Sequence, residues 1–222
     1  WYFHPCLYTL MLTTVAPDGG AYSNTRPHSK RGWCRFERHA AMLIKDSDCL
    51  LDFSCYQGGR TWKECCEQMM SSRSPPTNPT AFCEDLQSCV ASGALAFTNA
   101  ADLDVVSNQY ELGFKAAIDT FQAHVKDLPG VSFILNYENL GWTDEQGDVV
   151  IEALSYAATN CHFPDGGIKV SLFKGNHFSD EFRNKVSDLL HHGPWSGKFL
   201  SPLLREPLRS RRGCLVCTVF RT

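Results

Sequence analysis

Phe133-Ile134-Leu135-Asn136-Tyr137-Glu138-Asn139-Leu140 is followed by Thr143-Asp144-Glu145 and by an apolar run from Val150 to Leu154. A second passage, Val170-Ser171-Leu172-Phe173-Lys174-Gly175-Asn176, is followed by Ser179-Asp180-Glu181 and by Val186 to Leu190. Thr143 and Ser179, Asp144 and Asp180, Glu145 and Glu181, Val150 and Val186, and Leu154 and Leu190 each lie 36 residues apart. Each copy reads as a short strand, an Asn-bearing turn, a hydroxyl helix cap and an amphipathic helix. Self-similarity at one offset is the mark of stacked supersecondary units. Thr143 with Gln146 has the spacing of a capping box. The pattern stops at Gly193. Beyond it Lys198, Arg205, Arg209, Arg211, Arg212 and Arg221 face one acid, Glu206. That end is expected either as a basic, poorly ordered tail or as a patch for an anionic surface.

Upstream, Asp102 to about Lys126 predicts the longest helix, with Val106, Tyr110, Phe114, Ala117, Ile118, Phe121 and Val125 on one face. Leu128-Pro129-Gly130 ends it. Asn78 and Pro79 predict a cap and first turn for a helix carrying Phe82, Leu86, Cys89 and Val90. Ser71 to Pro79 holds three serines and three prolines and reads as a linker or exposed loop. Before it, Arg60 to Met70 predicts a helix with Trp62, Cys65, Cys66 and Met69 on one side.

The first 60 residues read strand, loop, helix, strand. Leu7 to Thr14 is the first strand, and Ala16-Pro17-Asp18-Gly19-Gly20 turns it into a long loop. Phe36, Ala40, Leu43 and Ile44 then repeat at helical spacing. Asp48 to Phe53 is the second strand, closed by Gly58-Gly59. This order is half of a βαβ layer.

The chain has 222 residues, 43% of them hydrophobic and 20% charged, with a formal net charge of -3. That composition is of a folded chain with a substantial core. The charge gives no electrostatic ground for a nucleic-acid binder. No stretch is long and apolar enough for a membrane helix. The opening Trp1-Tyr2-Phe3-His4-Pro5 lacks Met and reads as a fragment or a processed product. Eleven cysteines, an odd number, mostly fall inside apolar patterns. Buried free thiols in a reducing, cytoplasmic setting explain them better than a disulfide framework. Cys214-Leu215-Val216-Cys217 has no matching second pair, so no metal site is expected.

Glu37 is the main candidate for chemistry. It stands near the start of the first helix, after a Gly- and Pro-containing loop, where α/β sheets form their sites. A carboxylate complementing the helix dipole is the plainer reading of the same position. His39, two residues on, points to another face. His191-His192 reads as complementing a helix C-terminus, and Gly58-Gly59-Arg60 as a turn.

Trp33-Cys34-Arg35-Phe36-Glu37 resembles the WCxxE element of TIR (Toll/interleukin-1 receptor) domains, where it follows a strand and loop of a flavodoxin-like sheet and begins the next helix. In NAD-cleaving members of that family the Glu of this element is the catalytic acid. Carried to this sequence it is Glu37, with Trp33 packed under the site, Cys34 as a neighbouring core thiol, and Arg31 beside Trp33 as a further substrate contact. Arg31-Gly32-Trp33-Cys34-Arg35-Phe36-Glu37 also resembles the RGWxxFE signature of a group of microalgal and other protist proteins. Ser74-Pro75-Pro76, Phe97-Thr98-Asn99-Ala100-Ala101-Asp102 and Tyr110-Glu111-Leu112-Gly113-Phe114 resemble the same group. Its members often continue into leucine-rich repeats of the ribonuclease-inhibitor type, to which the two passages are similar. Their offset of 36 exceeds the ~28 usual there. The residue after Glu37 is Arg38, where the TIR pattern has an apolar residue.

The resemblance implies an α/β chain in parts. Residues 1–70 would be the C-terminal half of a TIR-like, flavodoxin-like parallel sheet. Residues 71–79 would be a linker, 80–128 a helical segment, 129–192 about two leucine-rich-repeat-like units, and 193–222 the tail. The leading functional expectation is a signalling module that binds protein partners, with homo-oligomers an open alternative and no resident cofactor. A second is NAD cleavage through Glu37, with NAD as substrate. A third is an inactive piece of a longer protein.

Overall fold

A computed structural model describes residues 2–4, 7–13, 26–59, 61–121, 134–163 and 167–200. It is a mixed α/β structure with two small parallel sheets. Thr9–Met11 (β1) leads through a 3₁₀ turn at His28–Lys30 into Gly32–Ile44 (α1), then Leu50–Asp52 (β2). β2 lies parallel to β1, with Leu10 opposite Leu51. This is the crossover unit expected from the sequence, although both strands are shorter than predicted. Trp62–Met70 (α2), Pro79–Ala91 (α3) and Asp102–Asp119 (α4) follow. Then come Ile134–Asn136 (β3), Asp144–Asn160 (α5), Ile168–Ser171 (β4), Asp180–His191 (α6) and Phe199–Leu200 (β5). No described helix is long and apolar enough to cross a membrane.

β3, β4 and β5 form one parallel sheet in that order. Asn136 pairs with Ser171, an offset of 35, whereas the helix caps Thr143 and Ser179 are 36 apart. The turn after β4 absorbs the extra residue. Gly175 sits there at φ 68°, and a Cβ would overlap Asn139. The repeat does not stop at Gly193 as the sequence predicts. Trp195 is buried, and Phe199 pairs with Ile168 as a third strand. Residues 201–222, with most of the basic tail and the Cys214–Cys217 pair, lie outside the described residues, as do Cys6 and Val125.

The caps form as read. Asn78 Oδ1 accepts from Ala81 N at 2.8 Å, and Ser179 Oγ accepts from Phe182 N at 3.1 Å. Gln146 Oε1 accepts from both Thr143 N and Thr143 Oγ. Polar side chains also join one repeat to the next. Asp144 accepts from Ser179 N, and Lys185 reaches Asp148 at 2.8 Å. Asn176 is the central link: Oδ1 accepts from Leu140 N and Trp142 N, and Nδ2 donates to Tyr137 O and Leu172 O.

One apolar core runs from Leu43 and Leu51 through Phe82, Tyr110 and Phe114 to Leu154, Val186 and Phe199. It crosses every boundary suggested by the sequence. The Ser71–Pro79 stretch is no exposed linker, because Arg73 within it is only 4% exposed. Its guanidinium donates to Met42 O, Lys45 O and Asp46 O, the carbonyls ending α1, and stacks over Tyr137. Cations complement a helix C-terminus, and α1 has none in its own last turn. Trp142 Nε1 donates to Arg73 O, which ties the same residue to the β3–β5 ladder. Trp62, expected on a buried side of α2, is instead 60% exposed, while Cys66 and Met69 face inward.

Candidate functional site

Gly32 starts α1 because the backbone passes against Phe97, and a Cβ there would overlap that ring. Gly32 N donates to Ala96 O and Ala96 N to Lys30 O, which pins the helix start to the segment before α4. Glu37 therefore lies in the second turn of α1, past the unpaired N–H groups of the first turn. The dipole argument for it weakens accordingly.

Glu37 is half-buried, and its carboxylate acts on the Tyr2 phenol. Burial and then the Glu37 contact raise the Tyr2 phenol above its ordinary range. Burial, and after it the Glu37 charge, also raise the Cys34 thiol. His28 is lowered, first by burial and then by the Arg38 charge, against the pull of Glu37. Glu37 thus acts electrostatically on Tyr2, His28 and Cys34, and the charges of Arg38 and Arg31 act on His28. A carboxylate and a phenol there can bind hydroxyl groups, and the carboxylate can steady developing positive charge.

Trp33 and His39, also named from the sequence, have partners elsewhere. Trp33 does not pack under the candidate site. It is 40% exposed and donates from Nε1 to Asp102 Oδ2 at 2.9 Å. Arg31 donates from Nε to Arg26 O at 2.7 Å, and its charge also acts on His28 and Cys34. His39 is half-buried between α1 and α3, lowered to about 4 chiefly by desolvation, and faces Thr77 and Phe82. All eight described cysteines are free, and only Cys66 among them is fully buried. Among the described residues no cluster of three ligating side chains could hold a metal ion.

A second candidate is the outer face of the β3–β5 ladder. Leu135, Ile168, Val170 and Phe199 point into the core. Alternation then turns Ile134, Asn136, Lys169, Ser171 and Leu200 to the other side, where Lys169 and Leu200 are exposed, Ile134 and Asn136 half-buried and Ser171 buried. Register places Ile134, Lys169 and Leu200 in one row, and Asn136 and Ser171 in the next. Glu138 borders the face, accepting from the Ser171 hydroxyl and from Lys174 at 3.0 Å. The periodicity of the two copies signals this face, but the third strand that widens it carries only two residues and no alternation.

The residues that sequence reasoning missed are Arg73, Lys45 and Asp52. Lys45 is fully buried and donates from Nζ to His4 O and Leu7 O. Asp52 accepts from the Thr13 and Ser72 hydroxyls and from Ser54 N, and the hydroxyl and N–H donors lower its carboxyl against the opposing cost of burial. Each acts on partners distant in sequence, where no local pattern points. Comparisons with protein-family models, curated proteins and solved structures find no match to this chain.

Proposed function

We propose that this chain is a protein-interaction module of the signalling type, and that its working surface is the outer face of the β3–β5 ladder. The observation that carries the reading is the ladder itself: three parallel strands whose polar links recur from one unit to the next, with Asn176 bonded to four backbone groups. A rigid sheet of stacked units presents an extended face without ordering cost at binding. That arrangement supports a leucine-rich-repeat-like identity for residues 134–200. The parallel β1–α1–β2 order around Trp33–Glu37 supports the TIR-like identity of the first part. The free thiols agree with a reducing, cytoplasmic setting.

A second reading, NAD cleavage through Glu37, draws on the action of Glu37 on Tyr2 and His28. A carboxylate against a ribose ring would stabilise the positive charge that develops as nicotinamide leaves. One experiment separates the two readings. The wild-type chain, Glu37→Gln, and Lys169→Glu combined with Leu200→Asp are each assayed for retention of a specific cellular protein and for NAD consumption. We expect a partner held by wild type and Glu37→Gln, and lost from the ladder-face variant, with NAD unchanged in all three. Partner retention by the ladder-face variant sinks the interaction reading at that face. NAD turnover abolished in folded Glu37→Gln would make the chain an enzyme.

A further inference from the structure

The βαβ unit leaves one strand half-covered. On one face of the small sheet, Met11 and Leu50 pack with Ala41 and Met42 of α1. On the other, Leu51 is buried and α2 lies against β2. Leu10 of β1 and its flanking residues Tyr8 and Leu12, which alternation places on that second face, are each more than half exposed, and Leu12 is 76% exposed. Parallel strands are normally covered on both faces. The far edge of β1 also has no strand beside it among the described residues. Exposed edges are usually guarded by Lys, Pro or inward charge. Leu7-Tyr8-Thr9-Leu10-Met11-Leu12-Thr13 has none of these.

The open face continues onto neighbouring aromatics. Phe53 and Tyr56 belong to the turn after β2, which packs against both β1 and α2, and Trp62 begins α2. All three are exposed. These exposed side chains stand on elements that contact one another, where apolar exposure marks an interaction site.

We propose that β1 and its outer face form a two-fold interface between two copies of this chain. Antiparallel pairing of β1 with its mate would join the two small sheets into one of four strands. Leu10, the middle residue of β1, would lie near the axis and face its own counterpart. An uncharged strand can do this without setting like charges opposite each other. The two-fold arrangement needs no second surface, since one patch serves both copies. The interface lies on the first sheet and is independent of the ladder face assigned above to partners.

The test is sedimentation equilibrium of the full 222-residue chain from ~1 to ~100 μM, with hydrogen exchange on the same samples. The expected result is a dimer, with amides of residues 8–12 more protected at high concentration. Leu10→Lys should weaken association by about 100-fold or more while circular dichroism is unchanged. Leu12→Lys, at the more exposed position, should act in the same direction and serves if Leu10→Lys fails to fold. A wild-type chain that stays monomeric at ~100 μM overturns the proposal, and assigns the face to a strand from another source. Undiminished dimerisation of either folded variant, or protection at residues 8–12 that ignores concentration, also overturns it.

Discussion

The β1–α1–β2 unit and the β3–β5 ladder are both parallel α/β structures, yet they are held together differently. In the ladder the same kind of bond recurs between units at nearly one spacing: Leu140 to Asn176, Ser179 to Asp144, Lys185 to Asp148, Lys174 to Glu138. The βαβ unit has no such recurrence. Single buried polar groups, Lys45, Asp52 and Arg73, each fasten several distant backbone or hydroxyl groups at once. A repeated design spreads its stability over many modest contacts. A unique design concentrates it in a few residues whose loss cannot be shared. β1 also leaves the apolar Leu10 more than half exposed, whereas the ladder presents Lys169 and Leu200, so the two regions differ in what they leave for partners.

Arg73 is the sharpest way to break this contrast. Arg73→Ala leaves the carbonyls of Met42, Lys45 and Asp46 without their buried donor and opens a void beside Tyr137. Losses of this kind run to roughly 3–5 kcal/mol, because charged hydrogen bonds and desolvated acceptors are involved together. For a chain of this size that is about 10 °C or more in melting temperature. Arg73→Met fills the space without restoring donors and should recover less than half of the loss. Thermal unfolding followed by circular dichroism measures both. Recovery to wild-type stability in Arg73→Met would show that packing, not the carbonyl bonds, is what Arg73 supplies.

Asn176 is the corresponding test in the ladder. Asn176→Ala leaves Leu140 N, Trp142 N, Tyr137 O and Leu172 O without their side-chain partner. The expected cost is about 2–4 kcal/mol, less than for Arg73 because strand pairing and the caps on either side persist. Asn176→Asp should be no better, since a carboxylate would face two carbonyl oxygens in a buried site. Urea unfolding should show the midpoint falling. If the ladder is one cooperative unit with the rest of the core, the slope stays constant. A second transition would instead mean that the ladder unfolds by itself.

How far the sequence could be read follows the same division. The caps at Asn78, Thr143 and Ser179 were legible because donor and acceptor lie within three or four residues. The two βα copies were legible because helices α5 and α6 keep one offset. The strand register of 35 was hidden, because the turn holding Gly175 takes up a residue that helix alignment cannot see. β5 was hidden because two residues leave no period to detect. Arg73 read as part of a Ser/Pro-rich linker because its partners stand 27 to 31 residues away. At Glu37, the helix and its order after a strand were legible. The turn of Trp33 toward Asp102, 69 residues on, was not.

Asp46 offers the smallest and most discriminating effect, since it sits where the two regions meet. Its neighbour Ser47 donates to Asn136 O of β3. Burial first, then the charges of Asp48 and Glu138, push the Asp46 carboxyl up to about 6 despite the pull of Arg73. The folded chain therefore holds this proton more tightly than the unfolded chain, whose carboxyl titrates near ~3.9. The contribution to stability is fully present below that unfolded value and is lost as pH rises through about 6. At neutral pH an ionised Asp46 is a penalty, on the order of 1 kcal/mol once solvent screening of a partly exposed group is allowed for. Asp46→Asn removes it. The variant should be more stable than wild type at pH 7.5, by about 2–4 °C, and equal to it near pH 4. Melting curves across that range decide the matter. A variant less stable than wild type at pH 7.5 would mean that the Asp46 charge serves Arg73 more than it suffers from Asp48 and Glu138. The joint would then be an ion pair and not a strained carboxylate.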